Sequence, residues 1–168
     1  MLNTISEIRL AGLVEESIVD GPGLRFVIFT QGCHKRCVGC HNPQSLDMNG
    51  GYIEDINKIR EKWLKNPIIE GITISGGEPF LQARAVKQII SYALLDNLNV
   101  VIYSGFYYEE LRAINKPDIN YILDHAHYLI DGPFEIDKKD LNLLFRGSAN
   151  QRLIDLQQTK NLQKLVIK

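Results

Sequence analysis

All three cysteines of this 168-residue chain lie within eight residues, at Cys33, Cys37 and Cys40, with the spacing CxxxCxxC. Cubane iron–sulfur clusters are held by cysteine thiolates, normally four of them. A compact triplet with no fourth cysteine in the chain would leave one iron open to another ligand. The odd number of thiols also argues against a disulfide framework. The spacing therefore predicts a [4Fe-4S] cluster with one iron available for chemistry.

A zinc site is the alternative interpretation of the same residues. Three thiolates and a neighbouring imidazole, from His41 or His34, could form a closed tetrahedral zinc site. However, the triplet lacks the second ligand pair, farther along the chain, that zinc fingers use. The residues among and after the cysteines are typical of a loop, where ligands are found more often than packing residues: Lys35, Arg36, Gly39 and Asn42.

The composition is that of an ordinary soluble domain, with 45% hydrophobic residues, 23% charged residues and a net charge of −1. A near-neutral charge makes general binding to nucleic acid unexpected. We find no run of 18 apolar residues and no apolar leader-like segment, so we expect no membrane span and a cytoplasmic protein whose thiols stay reduced. The length and the lack of a linker-like stretch predict a single domain over residues 1–168.

Short apolar strands alternate with amphipathic helices along the chain. The patterns predict strands at 25–30, 71–75, 100–103, 128–130 and 165–167, and helices at 52–64, 81–95, 109–114 and 119–125. Ser148-x-x-Gln151 has the form of a capping box and predicts one more helix start. Such alternation is typical of right-handed βαβ units. The predicted fold is α/β, a partial (β/α) barrel of about five or six mainly parallel strands.

Glycines and polar residues follow each predicted inner strand. The cysteine loop follows the first strand, residues 76–79 the second, residues 104–105 the third and residues 131–133 the fourth. The carboxyl ends of parallel strands are where α/β proteins bind ligands. Gly76 and Gly77 would let backbone groups approach a ligand closely. Glu78 would accept hydrogen bonds from an ammonium group.

The cysteine triplet after one strand, together with the segment SGGEP at 75–79 after the next, resembles the radical S-adenosylmethionine superfamily. This resemblance implies a radical-SAM type of partial barrel and two cofactors, a [4Fe-4S] cluster on the three cysteines and S-adenosylmethionine on the open iron. It also implies a set of cofactor-binding residues: Gly39, Cys40, His41, Gly76, Gly77 and Glu78. Gly39 stands where the wider superfamily often has an aromatic residue near the adenine.

Within the superfamily the chain resembles the glycyl-radical-enzyme activases, and most closely the branch that serves the anaerobic ribonucleotide reductase. The similarity is carried by IVDGPGLRF at 18–26, QGC at 31–33, CHNP at 40–43, LIDGPF at 129–134 and RGSANQ at 146–151. The resemblance implies an oxidoreductase that reductively cleaves S-adenosylmethionine to a 5′-deoxyadenosyl radical. That radical would take hydrogen from a glycine of the reductase. The implied partners are this glycyl-radical subunit and a low-potential electron donor such as flavodoxin.

Two other functions stay open at this point. One is a radical enzyme acting on a small molecule, against which the RGSANQ segment at 146–151 argues. The other is a zinc-stabilised binding module, in which the glycine-rich turn at 76–78 would be incidental.

Overall fold

The computed structural model describes residues 6–168, and seven strands of this part of the chain form one mixed sheet. They are β1 Glu7–Ser17, β2 Arg25–Thr30, β3 Tyr52–Asp55, β4 Gly71–Gly76, β5 Asn99–Tyr103, β6 Tyr128–Asp131 and β7 Arg152–Asp155. Their order in the sheet is β3-β1-β2-β4-β5-β6-β7. Strands β2, β4, β5 and β6 are mutually parallel, whereas β1 pairs antiparallel with β2 and β3, and β7 pairs antiparallel with β6.

Five α-helices accompany the sheet in the described residues: α1 Ile56–Leu64, α2 Ala83–Leu95, α3 Tyr108–Ile114, α4 Pro117–His125 and α5 Leu156–Leu162. The α/β class and the four inner strands are confirmed. The prediction of five or six mainly parallel strands is wrong, because antiparallel strands extend the parallel set at both edges. No helix in the described part of the chain is long and apolar enough to cross a membrane.

The helix predicted over 52–64 begins four residues later than expected. Tyr52 and Ile53 fit the helical spacing of apolar residues, but they lie in the edge strand β3, where their side chains are 42% and 55% exposed. The side chain of Asp55 accepts a hydrogen bond from the backbone N–H of Asn57, 2.7 Å away, and so caps α1. This cap sets the start of the helix, which the spacing of apolar residues alone could not locate.

The helix start predicted at Ser148-x-x-Gln151 is also wrong. Gln151 is followed by β7, and the next helix, α5, begins at Leu156 with Asp155 as its cap. The predicted strand at 165–167 reduces to a single antiparallel bridge between Ile154 and Ile167. Strand β1 was not predicted at all. Its side chains are mostly half-buried or exposed, so it shows little apolar alternation, and its pairing with β2 defines it instead.

The two faces of the sheet differ in chemistry. Because neighbouring residues of a strand point to opposite faces, the paired residues Ile28, Ile74, Ile102 and Leu129 all lie on one face. They pack with the apolar sides of the helices in one core. The opposite face carries Arg25, Thr73 and Tyr103 and is covered by loops rather than helices.

Arg25 is the buried charge of this second face. Its guanidinium donates to the Thr73 hydroxyl at 3.0 Å, to the Pro22 carbonyl at 3.0 Å, to the Ile72 carbonyl and to the Asn99 side chain. Burial lowers the pKa of Arg25 to about 10, so the side chain is still charged at neutral pH. The arginine thereby ties the starts of β2, β4 and β5 to the turn before β2.

We expect Arg25→Leu to lower the free energy of unfolding by about 3 kcal/mol or more, because it leaves several buried acceptors without a donor. Urea denaturation measures this change. Lys58→Leu, on the exposed side of α1, is the control for replacing a basic residue with an apolar one and should stay within about 0.5 kcal/mol of the parent protein. Equal stability of the two variants would contradict this role.

Candidate functional site

A cavity of about 420 Å³ opens at the carboxyl ends of the parallel strands. Its walls come from the loops after β2, β4, β5 and β6, as the polar residues at the strand ends predict. The predicted site residues on its surface are Cys33, Cys37, Cys40, His41, Gly76, Gly77 and Glu78. Gly39 is not among the residues that line the cavity. It is exposed, and a Cβ atom there would lie 2.9 Å from the side chain of Ile136, so the lack of a side chain lets the loop after β6 approach the cysteine loop.

The glycine-rich turn touches the cysteine loop directly through main-chain atoms. Gly77 donates its N–H to the Thr30 carbonyl and Glu78 donates its N–H to the Gly32 carbonyl, both at 2.8 Å. A Cβ atom on Gly77 would lie 2.3 Å from the Gly32 oxygen, and one on Gly76 would lie 2.4 Å from the Thr30 nitrogen. These glycines therefore allow two loops to meet, whereas the sequence suggested only an approach to a ligand.

The cysteine loop is closed on its other side by the segment that follows it. Gly32 donates its N–H to the Ser45 carbonyl at 2.7 Å, and Cys33 donates to the Leu46 carbonyl at 3.2 Å. The buried amide of Gln31 donates to the Asp47 carbonyl at 2.7 Å. These bonds join residues 31–33, before and at the first cysteine, to residues 45–47, after the last one, and so hold both ends of a loop with little regular secondary structure.

The three thiols are free of disulfides, and Cys33 is 8% exposed while Cys37 and Cys40 are partly exposed. Within residues 6–168, no three His, Cys, Asp or Glu side chains converge as ligands of one metal ion. A cubane cluster differs in that each thiolate binds a separate iron. The donor set of three soft thiols on one cavity wall suits such a cluster.

Glu78 is a buried carboxylate on the cavity wall, only 1% exposed. It accepts hydrogen bonds from the N–H groups of Gly105 at 2.8 Å and Phe80 at 3.1 Å, and from the Ser104 hydroxyl at 3.0 Å. Burial nevertheless raises the pKa of Glu78 to about 7, because desolvation outweighs these bonds and the charge of Lys35. The carboxyl group is poised to ionise when a cation arrives.

The loop after β6 forms a wall that sequence reasoning missed. The ring of Phe134 lies 4.5 Å from the ring of His41, and Leu141, Leu143 and Phe145 line the cavity. The Tyr103 hydroxyl donates to the Phe145 carbonyl at 2.7 Å and latches this wall to the end of β5. The sequence analysis had placed residues 131–133 at a strand end, but it assigned no role to the apolar residues Leu141, Leu143, Leu144 and Phe145, which lie outside every predicted element.

Comparison with known proteins gives the family. A model described as a 4Fe-4S single cluster domain matches residues 19–154. The chain belongs to this family. It is 33% identical over 146 residues to the anaerobic ribonucleoside-triphosphate reductase-activating protein of Escherichia coli K12, covering 80% of this chain and 90% of the relative. The protein of the same name from enterobacteria phage T4 is 29% identical over 143 residues, covering 80% and 86%.

A second activase is also similar. The pyruvate formate-lyase-activating enzyme of Clostridium pasteurianum is 33% identical over 130 residues, covering 74% of this chain and 55% of the relative. Among solved structures, QueE from Escherichia coli aligns with a TM-score of 0.48 and 11% identity over 59% of this chain and 52% of its own, a likeness too weak to carry a conclusion. Family membership confirms the resemblance to the radical-SAM activases, the class of enzyme and the two cofactors, a [4Fe-4S] cluster and S-adenosylmethionine.

We expect Gly77→Ala to lose most of the iron bound after anaerobic reconstitution, because its methyl group would push the Gly32 carbonyl away and displace Cys33. The measurement is iron per chain. Gly12→Ala is the matched control, since nothing lies within 4 Å of a Cβ atom at Gly12, and it should bind as much iron as the parent protein. A full complement of iron in Gly77→Ala would show that the loop contact does not position the cysteines.

Glu78 makes stability depend on pH. The free carboxyl has a pKa of 4.5 and the buried one about 7, so between these values the folded protein binds the proton more tightly than the unfolded chain. The free energy of unfolding should therefore fall as pH rises through this window, by on the order of 3 kcal/mol, and level off above it.

Urea denaturation of the cluster-free protein at pH 5 and pH 8 tests this dependence in the parent and in Glu78→Gln. The free energy of unfolding of the parent should fall between pH 5 and pH 8 relative to that of Glu78→Gln, which has no carboxyl group at this position. Glu61→Gln, at an exposed carboxylate of α1, should show the pH dependence of the parent. An identical pH dependence in Glu78→Gln would contradict the assignment.

Proposed function

We propose that this protein is a glycyl-radical-enzyme activase that acts on the anaerobic ribonucleotide reductase. The observation that carries the proposal is the direct contact between the cysteine loop and the Gly76-Gly77-Glu78 turn at one cavity. It occurs in a chain that covers 90% of a reductase-activating protein. When bound, the [4Fe-4S] cluster and S-adenosylmethionine supply one-electron cleavage of the sulfonium C5′–S bond, giving methionine and a radical that removes hydrogen from the Cα atom of a glycine.

The residues of this chain would bind and orient the cofactors. Cys33, Cys37 and Cys40 would hold the cluster through their thiolates and leave one iron free. Glu78 would accept hydrogen bonds from the ammonium group of S-adenosylmethionine, since a cation beside it favours its ionised form. Gly76 and Gly77 bring this carboxylate up to the cysteine loop.

The remaining predicted contacts concern the adenosyl part. Cys40 and the ring of His41 lie on the cavity wall and would contact it. Gly39 would act indirectly, by letting the loop after β6 pack over the cysteine loop. That loop, with Phe134 against His41, would exclude water from the reaction.

The partner and the domain organisation complete the proposal. The protein substrate would be the glycyl-radical subunit of the reductase, by similarity to relatives named for activating it. A low-potential donor such as flavodoxin would supply the electron. We also propose one radical-SAM domain over residues 1–168, with the sheet curved into a partial barrel around the cavity and no binding of nucleic acid. The continuous sheet from β3 to β7 supports this organisation.

The first experiment combines anaerobic reconstitution, iron and sulfide analysis, and chromatography for 5′-deoxyadenosine after addition of dithionite and S-adenosylmethionine. We expect about four irons per chain and formation of the product. Replacing Cys33, Cys37 or Cys40 by Ala should reduce product formation to background, because two thiolates hold the cluster poorly. Lys139→Gln, an exposed residue outside the cavity, should keep the parent activity. Zinc without sulfide, or product from a cysteine variant, would overturn the proposal.

The choice of partner is tested by electron paramagnetic resonance. Incubation with the anaerobic ribonucleotide reductase of the same organism should produce a glycyl-radical signal, and its glycine-to-alanine variant should not. Pyruvate formate-lyase, as the alternative acceptor, should give little or no signal. A signal on pyruvate formate-lyase alone would reassign the substrate, and 5′-deoxyadenosine without a signal on either protein would point to a small-molecule substrate.

A further inference from the structure

The loop after β6 ends in an apolar segment, residues 141–145, which we call the tip. Leu141, Leu143 and Phe145 of the tip line the cavity. The tip is nevertheless poorly packed, because the side chains of Leu141 and Leu144 are 82% and 70% exposed. Segments with few buried apolar contacts open at a lower free energy than the rest of a fold. What fixes the tip over the cavity must therefore come from hydrogen bonds.

The base of the tip is well held. Asp140 donates its N–H to the Gly147 carbonyl at 3.3 Å, and Ala149 donates its N–H to the Lys138 carbonyl at 2.8 Å. The side-chain oxygen of Gln151 accepts from the N–H of Gly147 at 2.8 Å. The two ends of the tip are thereby kept together while the residues between them project over the cavity. This is the geometry of a flap hinged at its base.

One hydrogen bond joins the tip to the sheet. The hydroxyl of Tyr103, at the end of β5, donates to the Phe145 carbonyl at 2.7 Å. Within residues 6–168, the other hydrogen bonds of the tip run from Asn142 to the neighbouring Asp140 side chain. Burial and the negative charge of Asp20 raise the pKa of Tyr103 above its usual value. The hydroxyl therefore keeps its proton and donates this bond at any working pH.

The bond from Tyr103 acts on a residue in an unfavourable conformation. The φ angle of Phe145 is +61°, in the left-handed region that bulky side chains rarely adopt. Such a residue persists only where the surrounding structure enforces its conformation. Because Tyr103 fixes the carbonyl of this residue, breaking the bond would let Phe145 relax as the tip opens. Strain and sparse packing thus both favour opening, and the hydroxyl opposes them.

We propose that the tip is a lid over the cavity and that Tyr103 is the positioning residue that holds the lid closed. The closed lid retains S-adenosylmethionine, because a ligand beneath it leaves only after the lid has opened. Leu143 and Phe145 also keep water from that side of the cavity. The identity of the retained ligand rests on the proposed function, whereas the hold of Tyr103 on the tip does not.

The first test is limited proteolysis of the reconstituted protein by chymotrypsin, which cleaves after large apolar residues. Tyr103→Phe removes one oxygen atom and keeps the ring. We expect cleavage within residues 141–145 to become about 3- to 10-fold faster, because the rate follows the open population and one neutral hydrogen bond is lost. Tyr52→Phe, which removes a hydroxyl from the exposed strand β3, should match the parent protein.

Cleavage after Leu95 is the internal control for overall stability. This residue is 70% exposed at the end of α2, far along the chain from the tip. Its cleavage should be equally fast in the parent, Tyr52→Phe and Tyr103→Phe. Unchanged cleavage of the tip in Tyr103→Phe would overturn the inference. An increase of the same size after Leu95 would also overturn it, because it would indicate a general loss of stability.

The second test measures the dissociation of S-adenosylmethionine from the reconstituted protein, anaerobically and without reductant, so that no turnover occurs. Tyr103→Phe should raise the dissociation rate about 3- to 10-fold, the same factor as for proteolysis, and should not slow association. Tyr52→Phe should change neither rate. An unchanged dissociation rate would overturn retention by the lid and leave the proposed function intact. Failure of the parent protein to bind S-adenosylmethionine would reject the proposed function, while the proteolysis result would still decide the role of Tyr103.

Discussion

The main-chain contact between Gly76-Gly77 and residues 30–32 is the constraint on which the site depends. It joins the carboxyl ends of two neighbouring parallel strands, β2 and β4, through hydrogen bonds of 2.8 Å. A side chain at Gly77 would clash with the Gly32 carbonyl, so the position of Cys33 depends on the lack of a side chain in the turn after β4. The same contact brings Glu78 into the cavity wall, where the Ser104-Gly105 turn of the next strand completes its hydrogen bonds.

Two polar side chains of the empty site are in energetically unfavourable surroundings that a ligand would relieve. Glu78 loses hydration on burial, which makes its ionised form expensive at neutral pH. Arg146 has a buried donor without an acceptor. Such groups lower the stability of the empty site, and they gain most from a ligand that brings the opposite charge. The fold can support them because its stability comes from elsewhere, from the apolar face beneath the helices and from the Arg25 network on the other face.

Local patterns predicted the inner strands well because β2, β4, β5 and β6 are short apolar runs that are buried on at least one face. They failed at Tyr52–Asp55, where an apolar pair at helical spacing belongs to an exposed edge strand. They failed again at Gln151, whose side chain closes a turn of the cavity wall instead of capping a helix. In both cases a contact with a residue distant in sequence overrode the local pattern. Strand β3 forms by pairing with β1, and the Gln151 side chain bonds to the Gly132 carbonyl.

The sequence by itself determined the chemistry available to this protein: three thiols at cluster spacing, a glycine-rich turn ending in a carboxylate, and an α/β alternation that gathers them at one edge of a sheet. These features are local in the chain, so spacing and residue type suffice to find them. Only the tertiary structure decided that the glycines serve loop-to-loop contact, that Phe134 of the loop after β6 packs against the ring of His41, and that Arg146 makes one long hydrogen bond within residues 6–168. Desolvation and hydrogen-bond pairing depend on which distant segments meet, and no short stretch of sequence specifies that.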